Sequence, residues 1–221
     1  MNDIYGAPPI DLGLFDIAPK EMMFWLYCPV KLPGHAHLTF PPNLEQFRNL
    51  VAKVSIDILD REGIDHFIDS YFYLTAKTLF VTADNPGNRP GWHSDGFMTD
   101  DLNYVWSDCN GTLFWEPQER GSFIQDEWHS LSEMAAAAFD GPVKSYPDKH
   151  LLRLDQSVIH RVADVTEPRV RTFVKVSVSR DKYNLVGNSV NHQLAPDWTY
   201  FDRSEDRNVP TATSKEPEVI F

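Results

Sequence analysis

From Val170 to Ser179 the chain alternates without a break. Arg171, Phe173, Lys175, Ser177 and Ser179 fall to one side, and Val170, Thr172, Val174, Val176 and Val178 to the other. Period-two alternation marks a β-strand, because successive side chains leave opposite faces of the pleat. A strand of this length needs partners, and the sequence offers several. Tyr71 to Thr82 is aromatic and β-branched, and Met22 to Val30 is a further candidate. Val143 to Tyr146, His150 to Leu154 and Ser157 to Val162 read as short strands. Leu102 to Ser107 and Thr112 to Trp115 flank Asp108-Cys109-Asn110-Gly111, which predicts a hairpin closed by an Asn-Gly turn.

Two helices interrupt this grammar. Asn43 reads as an N-cap with Gln46 as its capping-box partner. Leu44, Phe47, Leu50, Val51, Val54, Ile58 and Leu59 follow at helical spacing, and Gly63 supplies a stop. The spacing predicts a helix over 43–62 with its apolar face on a sheet. A second helix is expected from Gln125 to Phe139. Residues 1–42, with seven prolines, read as extended segments and turns over the core, and 196–221 as a loosely held polar tail. The chain of 221 residues fits one domain: 1–69 as N-terminal extension and support helix, 70–180 as β core, and 181–221 as C-terminal segment. The fold class is mainly β with flanking helices. About eight strands around one helical interruption fit a double-stranded β-helix, the cupin-like jelly roll.

Composition narrows the partners. A net charge of −12 disfavours nucleic-acid backbones and anionic membranes, which call for clustered Lys and Arg. A local basic rim around Arg89, Arg161 and Arg180 would revive the nucleic-acid case. The longest apolar stretch, Met22 to Val30, is far too short to span a membrane. Cys28 and Cys109 form no metal or disulfide pattern and read as reduced thiols. With an acidic start at Met1-Asn2-Asp3 and no basic leader, a cytoplasmic location is the expectation.

The chemistry concentrates in two short segments. Gly91-Trp92-His93-Ser94-Asp95-Gly96-Phe97 offers a His and an Asp two positions apart, which an extended chain points to one side. Asp155-Gln156-Ser157-Val158-Ile159-His160 brings a second His at the end of an apolar run, and Arg171 follows eleven residues later. Two imidazoles and one carboxylate can fill one face of an octahedral metal and leave the other open. Alone, His93 and Asp95 could equally be a turn pair, and His160 a core histidine. His35 and His37, in a Pro/Gly loop without an acidic neighbour, read as surface.

The order His93, Asp95, His160, Arg171 resembles the Fe(II)/2-oxoglutarate-dependent dioxygenase superfamily, with spacing similar to that of the phytanoyl-CoA-hydroxylase and prolyl-hydroxylase branches. The likeness covers about residues 70–180. It implies that His93, Asp95 and His160 hold Fe(II), and that Arg171 pairs with the distal carboxylate of 2-oxoglutarate. It also implies O2 as cosubstrate, with succinate and CO2 released as a substrate is hydroxylated. Asp95 sets the chain apart from the halogenating branch, which lacks this carboxylate. Arg169 and Lys175 share the parity of Arg171 and are rivals for the anchor; Arg169 abuts Pro168 and so lies near the start of the strand. Ser177 shares that face. On the first strand Tyr73, Thr75 and Lys77 share a parity and could reach cosubstrate. Trp92, Phe97, Asn103, Trp106 and Arg180 are candidate substrate contacts, and 184–192 is either a pocket cap or a structured turn. The substrate expected is a small molecule or amino-acid-like compound. The alternatives are a hydroxylase or demethylase of a nucleobase or protein side chain, a cupin-like protein without redox chemistry, and a Lewis-acid metalloenzyme. The prime substrate and the oligomeric state are not legible.

Overall fold

The computed structural model describes residues 5–19, 21–124, 127–194 and 196–202. In chain order the strands are β1 (Ile10–Leu14), β2 (Met23–Lys31), β3 (Tyr71–Val81), β4 (His93–Ser94), β5 (Leu102–Ser107), β6 (Thr112–Trp115), β7 (Val143–Ser145), β8 (His150–Leu154), β9 (Ile159–Val162) and β10 (Arg169–Ser179). The helices are α1 (Arg48–Arg61), α2 (Ile64–Asp69) and α3 (Glu127–Phe139). The result is a mixed fold dominated by antiparallel sheets with flanking helices. One sheet runs β1-β8-β5-β10-β3-β2 and the other β4-β9-β6-β7.

The expected alternation of β10 decides which side chains face which layer. Val174, Val176 and Val178 lie on the outer face of the larger sheet, in one cluster with Trp106, Leu50, Val51, Val54 and Ile58. Helix α1 therefore packs its apolar stripe on the sheet, as its periodicity predicts. Fully burying each such side chain contributes about 1.5–3 kcal/mol. A polar latch fixes the helix as well. Asp57 accepts from Tyr104 of β5 (2.8 Å) and Arg153 of β8 (3.0 Å), while Arg153 also pairs with Glu62. The inner face of the same sheet gives Val105, Leu152, Leu154 and Phe173 to a second cluster with Phe114 and Val158 from the smaller sheet's side. Helix α3 lies over the other side of the smaller sheet, where Met134 and Ala138 join Trp115 and Ile159.

Several expectations need correction. Strands β5 and β6 do not pair as a hairpin: β5 bonds β10 and β8, and β6 bonds β7 and β9. Asn110, at φ 46°, instead turns the chain from one sheet to the other, its Nδ2 donating to the Ala163 carbonyl at 3.0 Å. The Asn43 capping box is absent. A 3-10 turn over Pro42–Phe47 leads into α1, and the Gln46 side chain donates to the Asn43 backbone carbonyl. Gly63 does end the helix, at a φ of 89° that favours glycine, but α2 follows at once. The count of about eight strands omitted β1, which pairs β8 at the edge of the larger sheet, and the two-residue β4, which pairs β9. Residues 196–202 fold back: Trp198 packs edge-on to Tyr71 at 5.7 Å, and Phe201 bridges Leu185. The remaining tail, 203–221, and the expected helix start at Gln125 lie outside the described residues. No helix among the described residues is long and apolar enough to cross a membrane.

Candidate metal centre

The site sits between the two sheets. Pairing of β4 with β9 sets His93 directly opposite His160, with ring centroids 4.5 Å apart. Asp95 lies in the turn just past β4. One ligand atom from each of His93, Asp95 and His160 lies within 4.8 Å of the others, and among the described residues this is the one such group of three or more. Asp95 Oδ1 is 3.9 Å from His93 Nε2, and its Oδ2 is 3.6 Å from His160 Nε2.

The imidazoles are oriented by the backbone. His93 Nδ1 lies 2.7 Å from the Gly91 carbonyl and His160 Nδ1 3.2 Å from that of Val158. A carbonyl only accepts, so each Nδ1 carries a proton and each Nε2 is the ring nitrogen left for the centre. This is the usual arrangement for a metal-binding histidine. Burial, then the neighbouring His160, holds the His93 imidazole down to about 3, so it is neutral and able to ligate through the physiological range. Burial alone would raise the Asp95 carboxyl. The Lys175 ammonium and the two imidazoles outweigh it, leaving the acid well below its usual range. The donor set, two imidazoles and one ionised carboxylate, fits a divalent cation that takes nitrogen and oxygen.

A row of cations shares the inner face. Register places Lys77 opposite Phe173, and Lys175 two positions beyond on the same side. Lys175 Nζ lies 3.0 Å from Asp95 Oδ2 and 3.2 Å from Tyr27 Oη. Lys77 Nζ donates to the Gly87 carbonyl (2.6 Å) and to Asn88 Oδ1, and burial first, then Lys175 and Arg171, push it down to about 7. Arg171 is 2 % exposed. Its Nε donates to the Cys109 carbonyl at 3.1 Å, but its Nη2 is buried without a hydrogen-bond partner. Leaving a buried charged donor unsatisfied costs several kcal/mol, so this nitrogen is left able to take a further acceptor.

The other candidates divide by parity. Arg169 is exposed and pairs with Glu167 at 3.3 Å, so it is set aside as an anchor. Trp106 is also corrected: it faces the outer core, with Nε1 donating to the carbonyls of Phe15 (2.7 Å) and Lys149 (3.0 Å). Asn103 and Ser177 face inward but bond each other at 2.7 Å. Tyr73 is buried, stacked on Tyr183 at 4.4 Å, with its hydroxyl taken by the Asp181 carbonyl. Thr75 accepts from the Tyr27 backbone amide at 3.0 Å. Trp92 lies beneath the Arg161 guanidinium, 5.4 Å from its ring centroid, and Phe97 packs on Tyr5 at 5.5 Å; both belong to the apolar cluster beside α3. Arg180 is exposed and pairs with Asp100 at 3.1 Å. His35 and His37 are exposed, as expected. Both cysteines are free thiols, and burial raises Cys28 to about 12. The residue that sequence reasoning missed is Tyr27. It carried no signal, because register shifts between Trp25 and Cys28 break the parity of β2 at that point.

No protein-family model and no curated protein matches the sequence. Among solved structures the chain is similar to an oxidoreductase of the 2OG-Fe(II) oxygenase family from Burkholderia pseudomallei. The identity is 16% and the TM-score 0.37, over 79% of this chain and 73% of that one. It is also similar to a C-terminally truncated protein of Neurospora crassa in its apo form, at 15% identity and TM-score 0.33, over 66% of this chain and 58% of that one. Within the chain itself, His93, Asp95 and His160 form a two-histidine, one-carboxylate cluster that resembles a facial metal triad.

Proposed function

We propose that the chain is a single-domain, Fe(II)- and 2-oxoglutarate-dependent oxygenase that hydroxylates a small-molecule or amino-acid-like substrate. The observation that carries this reading is the convergence of two backbone-oriented imidazole Nε2 atoms on one carboxylate. The unpartnered Arg171 Nη2 on the same inner face supports it. Strand order supports a double-stranded β-helix as the scaffold. From β3 to β10 every connection except β6 to β7 crosses from one sheet to the other, giving β8-β5-β10-β3 against β4-β9-β6-β7. Strands β1 and β2 extend the larger sheet at its two edges.

In this reading His93, Asp95 and His160 hold the iron, and Arg171 takes the distal carboxylate of 2-oxoglutarate through a planar fork of two N–H donors. Iron with 2-oxoglutarate supplies the activation of O2, coupled to release of succinate and CO2. The chain's own part is placement. The carbonyls of Gly91 and Val158 fix the imidazoles, Lys175 holds the carboxylate, and the Phe114, Leu154 and Phe173 cluster keeps water from the inner end. The test is succinate formation from 2-oxoglutarate with Fe(II) in air, without added substrate. Slow uncoupled turnover that disappears in His160→Ala and in Arg171→Met is expected. Metal binding with no consumption of 2-oxoglutarate would move the site to Lewis-acid chemistry.

A further inference from the structure

Tyr27 is a bulky, non-glycine residue at φ 47°, a conformation that side chains of its kind seldom adopt. It sits where the register of β2 on β3 shifts between Trp25 and Cys28, which is the signature of a β-bulge. The surrounding structure holds it there from three directions. Its own amide donates to Thr75 Oγ1 at 3.0 Å. The preceding Leu26 is bound on both backbone groups by Ser189, through Oγ at 2.9 Å and through the amide at 2.7 Å. Tyr183 meets the Tyr27 ring edge-on at 5.3 Å. The 184–192 stretch thus braces the bulge. Strained backbone persists only where the surroundings impose it, and it collects at working sites. What the bulge delivers is the Tyr27 hydroxyl, 3.2 Å from Lys175 Nζ, which in turn stands 3.0 Å from Asp95 Oδ2.

We propose that Tyr27 and Lys175 are positioning residues that clamp one oxygen of Asp95, so that this carboxylate gives a metal only its other oxygen. A carboxylate free at both oxygens can chelate, which would close one of the positions a facial site must keep open. An ammonium fixed on Oδ2 prevents that. The ammonium also repels the incoming dication, so the clamp weakens metal binding while preserving open positions. This inference rests on His93, Asp95 and His160 being metal ligands.

The experiment uses the full chain and Mn(II) alone, with no cosubstrate. Free Mn(II) is read by electron paramagnetic resonance, and exchangeable bound water by water-proton relaxation. The unaltered protein should bind Mn(II) with about three exchangeable waters, since three of six positions are protein ligands. Lys175→Met should bind about tenfold more tightly and hold one water fewer. Tyr27→Phe, which keeps the ring and removes only the hydroxyl, should move both readings in the same direction by a smaller amount. Unchanged or weaker binding in Lys175→Met with the full water count would overturn the clamp, and a silent Tyr27→Phe would remove Tyr27 from it. Failure of the metal reading is separately visible, as an unaltered protein that binds no Mn(II), or binds it equally well in His160→Ala.

Discussion

Arg171 and Arg169 are two residues apart on one strand and share a parity, yet their surroundings are opposite. Arg171 is buried with an unpartnered guanidinium nitrogen, and burial lowers it to about 10, whereas Arg169 is exposed and pairs with Glu167. Arg171→Met should therefore weaken 2-oxoglutarate binding about 100-fold or more, as expected for losing a buried, charge-assisted pair. Arg169→Ala should change it less than about twofold. Calorimetric titration with Mn(II) present compares the two. Lys77 makes a different prediction. Half-buried, and close to Lys175 and Arg171, it falls from 10.5 to about 7, chiefly through loss of solvent. Between about pH 7 and 10 the unfolded chain therefore binds more protons than the folded one, and stability rises with pH through that window. Lys77→Met should raise the stability of the metal-free protein by about 1–3 kcal/mol at pH 7, with the gain shrinking towards pH 10. Urea unfolding at several pH values reads this directly.

At the scale of elements, α1 and the β5–β6 corner show what pattern does and does not reveal. The stripe from Leu44 to Ile58 foretold both the helix and the sheet face beneath it, because a 3.6-residue period leaves one buried side. It could not foretell Asp57, a carboxylate 7 % exposed that fastens the helix to Tyr104 and Arg153. Asp57→Ala leaves Arg153 with Glu62 alone and takes the acceptor from the buried Tyr104 hydroxyl, and should cost about 2–4 kcal/mol in urea unfolding, with Mn(II) affinity of the folded protein unchanged. The Asn110-Gly111 corner misled for a related reason. A tight turn fixes the local reversal of the chain but not which sheet receives the next strand, and that is decided by the pairing of β6 with β9. Tyr27 was illegible because a bulge resets the parity on which strand reading depends.

For the molecule as a whole, the sequence disclosed the parts whose spacing survives folding. Alternation along β10 assigned Arg171, Lys175 and Ser177 to one face, and the structure buries all three there. The His93, Asp95 and His160 order foretold a cluster that only strand pairing could assemble, since nothing local brings residue 93 opposite residue 160. What stayed hidden is what distant segments create together: the Lys175 contact with Asp95, the bulge behind it, and the packing of Trp198 on Tyr71 and of Tyr183 on Tyr73. The central claim is that the site between the sheets holds Fe(II) and 2-oxoglutarate together. Anaerobic titration of the protein with Fe(II) and 2-oxoglutarate, followed by visible absorption, tests it most directly. A weak metal-to-ligand charge-transfer band is predicted, absent in His160→Ala and requiring far more 2-oxoglutarate in Arg171→Met. Bound Fe(II) with no band at saturating 2-oxoglutarate would contradict it.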